Sequence, residues 1–397
     1  MTRLSDQTIP AGRPAMPQET VLLAAALGVA GVAGLAGWHS GPALAAAALL
    51  GAAAGFALYH AAFGFTGAWR RVLTDGRSAG ARAQLVMLGA AGLVTYPLFG
   101  WAETAGAPLY GFVNPIGLPL ALGAFLFGIG MQLGGGCGSG TLFVAGGGST
   151  RMLVTLAAFI AGSVAAVLHF PVWITWPALP GVSVIAALGW LPALSLLMLV
   201  LAAGHILLLS RETARHGAAA SIGGLARPSA MHILRGPWTL MAGALALAGI
   251  SVAALLVTGA PWGITSAFAL WGSKIAALAG TTPAAWPYWA SDPAIGASLF
   301  ADRTSVMDFG LILGAMAAAG FAGRFRPGAW PGARSLAAAI LGGLLMGYGA
   351  RLSTGCNIGA FVSGTLSGSL HGPIWLLLAL PGNWVGVKLR PWFGLEI

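Results

Sequence analysis

Long stretches of this chain carry no charge. Residues 20–69, 104–150, 152–210, 236–273 and 352–387 contain no Asp, Glu, Lys or Arg. Each exceeds the roughly 20 residues an α-helix needs to cross the hydrocarbon core of a bilayer. Apolar positions run continuously within them, without the strict alternation of a transmembrane β-barrel. The pattern predicts helices near 20–38, 44–68, 83–101, 117–133, 151–170, 183–209, 238–258, 262–279, 306–323, 335–350 and 373–390. Trp173 and Trp176, and Trp286, Tyr288 and Trp289, fall near predicted ends, where amphipathic rings anchor at headgroup level. The expected fold class is an all-α polytopic membrane protein.

Composition sharpens this. Only 7% of the 397 residues are charged and 57% are hydrophobic, against about 25% charged in a soluble domain. The formal charge of +10 suggests a nucleic-acid binder until its distribution is read. Arg70, Arg71, Arg77 and Arg82 form one group, Arg211, Arg215, Arg227 and Arg235 a second, and Arg324, Arg326 and Arg334 a third. All lie in short connections between apolar runs, where basic residues set topology. The lipid bilayer is therefore the expected partner, and nucleic acid is not. Two cysteines exclude a disulfide framework. The polar first 19 residues lack a secretory h-region and cleavage pattern, so 20–38 reads as a retained helix. No phosphate-binding G-x-x-x-x-G-K-[ST] loop occurs, and His60, His169, His205 and His371 lack metal-ligand spacing. Neither cofactor nor metal is expected, and a permease is favoured over an enzyme.

The most polar connection divides the chain into a polar segment 1–19, a first transmembrane repeat 20–210, a basic linker 211–235 and a second repeat 236–397. Laying Leu122–Gly140 over Leu341–Gly359 at constant offset matches Leu122/Leu341, Gly123/Gly342, Leu126/Leu345, Gly128/Gly347, Gly130/Gly349, Leu133/Leu352, Gly136/Gly355, Cys137/Cys356 and Gly140/Gly359. Abundant glycine inflates such a score, but the two cysteines of the chain both fall in register. A weaker echo pairs Gly64-Phe65-Thr66 with Gly263-Ile264-Thr265. Placing the basic groups inside the cell has the first motif entered from outside and the second from inside. That favours an inverted pair of pseudo-symmetric repeats, provided 262–279 does not span fully.

The motifs read Gly128-Ile-Gly-Met-Gln132-Leu-Gly-Gly-Gly136-Cys137-Gly138-Ser139-Gly-Thr141 and Gly347-Tyr-Gly-Ala-Arg351-Leu-Ser-Thr-Gly355-Cys356-Asn357-Ile-Gly359. Each glycine costs a helix about 1 kcal/mol relative to alanine, so broken helices with short, re-entrant glycine-cysteine loops are expected. Such backbone survives at membrane depth only when buried in protein or lining a cavity. The unsatisfied N–H groups of a following half-helix attract an anion, glycine permits close approach, and a thiol adds a weak donor. Cys137, Cys356, Gly136, Gly138, Gly355, Asn357, Gln132 and Arg351 are the candidate substrate-binding residues. A single cysteine in an apolar helix is ordinarily a small hydrophobe; repeat register inside glycine loops argues otherwise. Arg351, opposite Gln132 in the repeat, either serves function or anchors topology. Asn357 and Ser139 either contact substrate or cap a half-helix.

The segments Gly349-Ala350-Arg351-Leu352-x-x-Gly355-Cys356-x-x-Gly359 and Gly130-Met131-x-x-Gly134-x-Gly136-Cys137-x-x-Gly140 resemble the paired signatures of the YeeE/YedE sulfur-transport family, over about 44–390. The resemblance implies an hourglass-like, multi-pass protein of the bacterial cytoplasmic (inner) membrane, with loops dipping in from both faces. It implies uptake of thiosulfate or a related small sulfur or selenium anion, passed between thiols by hydrogen bonding, with Cys137 and Cys356 as the central relay. Family members often carry a further cysteine in an early Phe-Cys-Phe-type motif; here Phe63-Gly64-Phe65 stands in that place. The small sulfur-carrier domain fused in some relatives is missing from this sequence, so such a cytoplasmic partner is expected as a separate chain. The rival reading is a membrane thiol-disulfide oxidoreductase using the same two cysteines. It lacks a C-x-x-C pair to supply nucleophile and resolving thiol.

Overall fold

The computed structural model of the chain describes residues 16–224 and 229–397. Of the segment 1–19, residues 1–15 lie outside the described residues, as does Arg227 of the second basic group. The first half contains α1 (Glu19–Ser40), α2 (Pro42–His60), α3 (Phe65–Thr74), α4 (Ala79–Ala105), α5 (Leu118–Gly134), α6 (Gly138–Gly146), α7 (Thr150–Leu168), α8 (Phe170–Trp173), α9 (Val184–Leu188) and α10 (Trp190–His216). The second contains α11 (Ala230–Arg235), α12 (Leu240–Thr258), α13 (Thr265–Leu278), α14 (Arg303–Phe321), α15 (Ala333–Leu352), α16 (Ser363–Leu366) and α17 (His371–Leu389). Two residue pairs, β1 (Ile116–Gly117) and β2 (Ala178–Leu179), form a short antiparallel bridge. Among the described residues nine helical stretches are long and apolar enough to cross a membrane. The protein is a multi-pass helical membrane protein.

Hydrophobic pattern located these helices, but not their breaks. The helix expected over 44–68 is interrupted at 61–64, where Ala62 takes φ +46° and Phe63 N–H bonds back to Leu58 O. That over 183–209 divides at Gly189, with φ +81° and Pro192 in the next turn. Both interruptions lie inside unbroken apolar sequence, so periodicity passes over them. At 14 residues, α13 reaches only about 21 Å, short of the roughly 30 Å core.

Small residues let these helices approach backbone to backbone, the main route to association where lipid removes the hydrophobic drive. Thus α2 runs parallel to α14, Gly51 facing Met307 and Gly55 facing Leu311. At the centre α5 runs antiparallel to α15, Gly123 against Gly349 and Gly130 against Gly342. Packing is paired throughout: α1 and α2 lie on α14 as α10 and α12 lie on α4, and α7 lies on α15 as α17 lies on α5. The loops knit at two ends. At one, Gly328 N–H bonds Gly148 O (3.1 Å) and Trp238 N–H bonds His60 O (2.9 Å). At the other, Tyr110 N–H bonds Gly259 O (2.8 Å) and Leu370 N–H bonds Val182 O (3.1 Å). Each interruption next to a cysteine is held where α5 and α15 stop.

Candidate functional site

Helix α5 ends at Gly134 because Gly135 turns left-handed at φ +88°. Its last carbonyls, which have no partner within a helix, accept from the Arg151 guanidinium of α7: Nη2 to Leu133 O (2.7 Å) and Nη1 to Gly134 O (2.5 Å). Three residues later Cys137 caps α6. Its sulfur accepts from Gly140 N–H at 3.4 Å, lies 3.4 Å from Ser139 Oγ, and has a backbone contact with Phe65. Thr141 Oγ1 closes the turn by donating to Cys137 O (2.8 Å).

The second loop follows the same plan with a different finish. Helix α15 stops at Leu352, Thr354 turns at φ +57° and Gly355 at φ +154°. Cys356 opens a wide helical turn over Asn357–Val362 that runs on into α16. Its carbonyl accepts from both Ala360 N–H (2.8 Å) and Phe361 N–H (3.2 Å). Ser353 Oγ ties the loop down, donating to Gly349 O (2.7 Å) and accepting from the Trp375 indole (2.9 Å).

The two loops meet. A Cβ placed on Gly138 would lie 3.1 Å from Cys356 Sγ, 3.3 Å from Thr265 Cγ2 and 3.4 Å from Ile264 Cγ2. Four helix starts therefore converge on one point: α3 at Phe65, α6 at Cys137, α13 at Thr265 and the wide turn at Cys356. Their unpaired N–H groups and partial positive charge suit an anion. Both cysteines are free and buried.

The remaining candidates are buried around the two loops. Gln132 Nε2 donates to Thr66 O (3.1 Å) and Asn383 Oδ1 (2.7 Å). In the matching place Arg351 donates to Thr265 Oγ1 (2.9 Å) and to the Tyr288 hydroxyl (3.1 Å). Register and echo thus agree in space: Gln132 binds the start of α3 as Arg351 binds the start of α13. Gly136 and Gly355 pack under their own helix starts, where a Cβ would come within 2.9 Å of Thr141 N and 2.6 Å of Ala360 N. Asn357 is buried next to Cys356, and among the described residues neither its Nδ2 nor its Oδ1 finds a partner. Buried amides are ordinarily satisfied. Its side chain therefore caps no half-helix among the described residues.

Sequence reading passed over Asp308, fully buried on α14 and within electrostatic reach of Cys356. A carboxylate inside the predicted helix 306–323 was the available signal. Among the described residues no group of three or more His, Cys, Asp or Glu could hold a metal ion.

The model of a protein family described as "Sulphur transport" matches residues 60–385, most of the chain and both cysteine loops. The chain belongs to the sulphur transport family. Within it, 143 residues are 32% identical to a protein named Probable transporter YedE of Salmonella typhimurium and 31% to its namesake in Escherichia coli, covering 36% of this chain. The shared stretch spans only 35% of each YedE protein. A longer match, 27% identical over 289 residues, covers 66% of this chain and 74% of Thiosulfate transporter TsuA of Spirochaeta thermophila.

Proposed function

We propose that this protein is a permease for thiosulfate or a related small sulfur or selenium anion, which crosses between the Cys137 and Cys356 thiols. The observation that carries the reading is the meeting of the two loops, with Gly138 against Cys356 Sγ and four helix starts around them. Thiols and helix N–H groups replace part of an anion's hydration without a fixed full charge, so it binds and still leaves. Asn357, with both polar atoms free, supplies donors at the second thiol. Gly136, Gly138 and Gly355 let backbone approach, while Gln132 and Arg351 hold the starts of α3 and α13 in place. The printed name of the Spirochaeta relative supports thiosulfate as first substrate to test.

The architecture we infer is an hourglass of two inverted repeats with re-entrant cysteine loops. It is supported by α5 and α15, which match in sequence register and run antiparallel. The likeness of α10 on α4 to α1 on α14 supports a division of the repeats in the 169–189 connection, as an alternative to the linker 211–235. The bacterial cytoplasmic membrane is the inferred location, with any sulfur-carrier partner a separate cytoplasmic chain.

The test is thiosulfate-dependent growth and uptake in a sulfur-starved host carrying wild type, Cys137→Ala, Cys356→Ala or the serine variants. Both alanine variants are expected to lose uptake and the serine variants to retain part of it, because a hydroxyl keeps the donor. Normal growth of both alanine variants would sink the relay. A disulfide between Cys137 and Cys356 trapped during turnover would favour the oxidoreductase instead.

A further inference from the structure

Among the described residues two acidic side chains, Glu212 and Asp308, are fully buried within long helices, and their surroundings differ completely. Glu212 on α10 faces Arg82 at 3.3 Å and Arg77 at 3.5 Å. It also accepts from Ser78 Oγ (2.5 Å), Ser78 N–H (3.0 Å) and Ala220 N–H (3.0 Å). Every lone pair there has a use. Asp308 is equally buried, yet among the described residues neither carboxyl oxygen has a hydrogen-bond partner. A group so placed in a membrane helix is a functional candidate.

Its position says which function. One turn before it on α14, Ser305 accepts from the Trp271 indole of α13 (2.8 Å). One turn after it, Ile312 packs against Gly146 of α6. Asp308 therefore faces the junction between α13 and α6, and it lies within electrostatic reach of Cys356. The other titratable or charged groups on the surrounding elements are few. Asp302 and Arg303 stand at the start of α14. Lys274 of α13 is held by Ile295 O and Ala297 O at 2.7 Å each. Cys137 caps α6, and Arg351 reaches the start of α13. The stretch of α2 against α14, from Ala48 to Gly55, has no titratable side chain, α1 has Glu19 and His39 at its ends, and α11 has His232 and Arg235.

We propose that Asp308 is a proton site that couples anion passage to the proton gradient. The inference rests on the anion path proposed above. A buried carboxylate within electrostatic reach of Cys356 repels an arriving anion, weakly screened in a low-dielectric interior; a carboxylic acid does not. Anion and proton thus occupy the junction together. The carboxylate takes one proton from water on the entry side, where half-buried Asp302 and the hydroxyls of Thr304 and Ser305 lead along α14. It returns that proton to the far side after the anion leaves. Only O–H bonds form and break, and the carboxylate is restored.

Proteoliposomes with the membrane potential clamped at zero by valinomycin and equal potassium provide the test. Wild type should concentrate radiolabelled thiosulfate about tenfold for each coupled proton under a one-unit pH gradient, acid outside. Asp308→Asn, a neutral isostere, should lose that accumulation entirely while retaining thiosulfate exchange at equal pH on both sides. Asp308→Glu should keep the gradient response. The proposal is overturned if wild type ignores the gradient, if Asp308→Asn accumulates like wild type, or if correctly assembled Asp308→Asn loses exchange as well. Should Asp308→Asn fail to assemble, an Asp308→Glu protein that exchanges but ignores the gradient overturns it too. Absence of exchange in wild type would instead refute the anion path itself.

Discussion

The two cysteine loops share a sequence plan and end in different chemical states. The first is self-satisfied: the Cys137 sulfur accepts a backbone N–H, neighbours the Ser139 hydroxyl, and caps a regular helix. The second is left open. The Cys356 sulfur makes no cap bond, although the Ile358 and Gly359 backbone faces it; the following turn is wide rather than α-helical, and among the described residues both polar atoms of Asn357 are without a partner. Arg351, bound to the start of α13, and Asp308, within electrostatic reach of Cys356, also stand on the second side. Under the proposed permease reading, the first loop serves geometry and the second recognition.

Backbone strain is the largest expected consequence of that difference. Gly355 has φ +154°, a region essentially reserved for glycine, where another residue costs about 1–3 kcal/mol. Its Cβ would also press within 2.6 Å of Ala360 N. The register partner Gly136 would crowd Thr141 N at 2.9 Å without an unfavourable φ. Gly355→Ala should therefore lower the thermal midpoint in detergent well below wild type, and Gly136→Ala by distinctly less. Gly359→Ala, whose Cβ meets nothing within 4 Å, should match wild type. Equal losses at 136 and 355 would erase the asymmetry.

Recognition comes next. Hydrogen bonds to charged groups contribute about 1.5–3 kcal/mol, which is about 10- to 150-fold in affinity. Asn357→Ala should weaken the apparent affinity for thiosulfate by at least about tenfold. Ser139→Ala, whose hydroxyl serves the Cys137 thiol, should change it by less than about threefold. Concentration-dependent uptake by the two variants decides the matter, and a larger loss from Ser139→Ala would reverse the assignment of roles.

Sequence alone revealed the loops and their register because cysteine is rare in this chain and both copies align. It also placed Gln132 opposite Arg351 and found the Gly64/Gly263 echo, although not that each polar side chain grips the helix start belonging to its own echo. That contact depends on chain crossings more than sixty residues apart. The helix breaks at 61–64 and Gly189 were invisible for a different reason: apolar sequence continues through them, and hydrophobicity does not record where backbone bonds are interrupted. Asn357 could be named as a candidate, but only packing shows that its amide has no structural employment. Asp308 was legible as a charge inside an apolar helix, and its significance waited on the absence of any arginine beside it.

The echo itself supports the smallest and most specific test. Gly64 stands immediately before α3, at the place where the resemblance in sequence implies a further cysteine. Its backbone is ordinary, at φ –108°, and a Cβ there would meet nothing within 4 Å. The place is therefore open to a thiol, one residue before the Phe65 backbone that contacts Cys137. Gly64→Cys should assemble normally, react with a small thiol reagent faster than the two buried cysteines, and raise uptake by up to a few-fold. At Gly263, the matching residue before α13, a Cβ would lie 3.8 Å from Phe112 and Thr304, so Gly263→Cys also fits. It stands beside the second loop, already supplied with donors by Asn357, and should leave uptake unchanged. If both variants stimulate equally, added thiols act without regard to the loop they adjoin, and the division between a shaping loop and a binding loop fails.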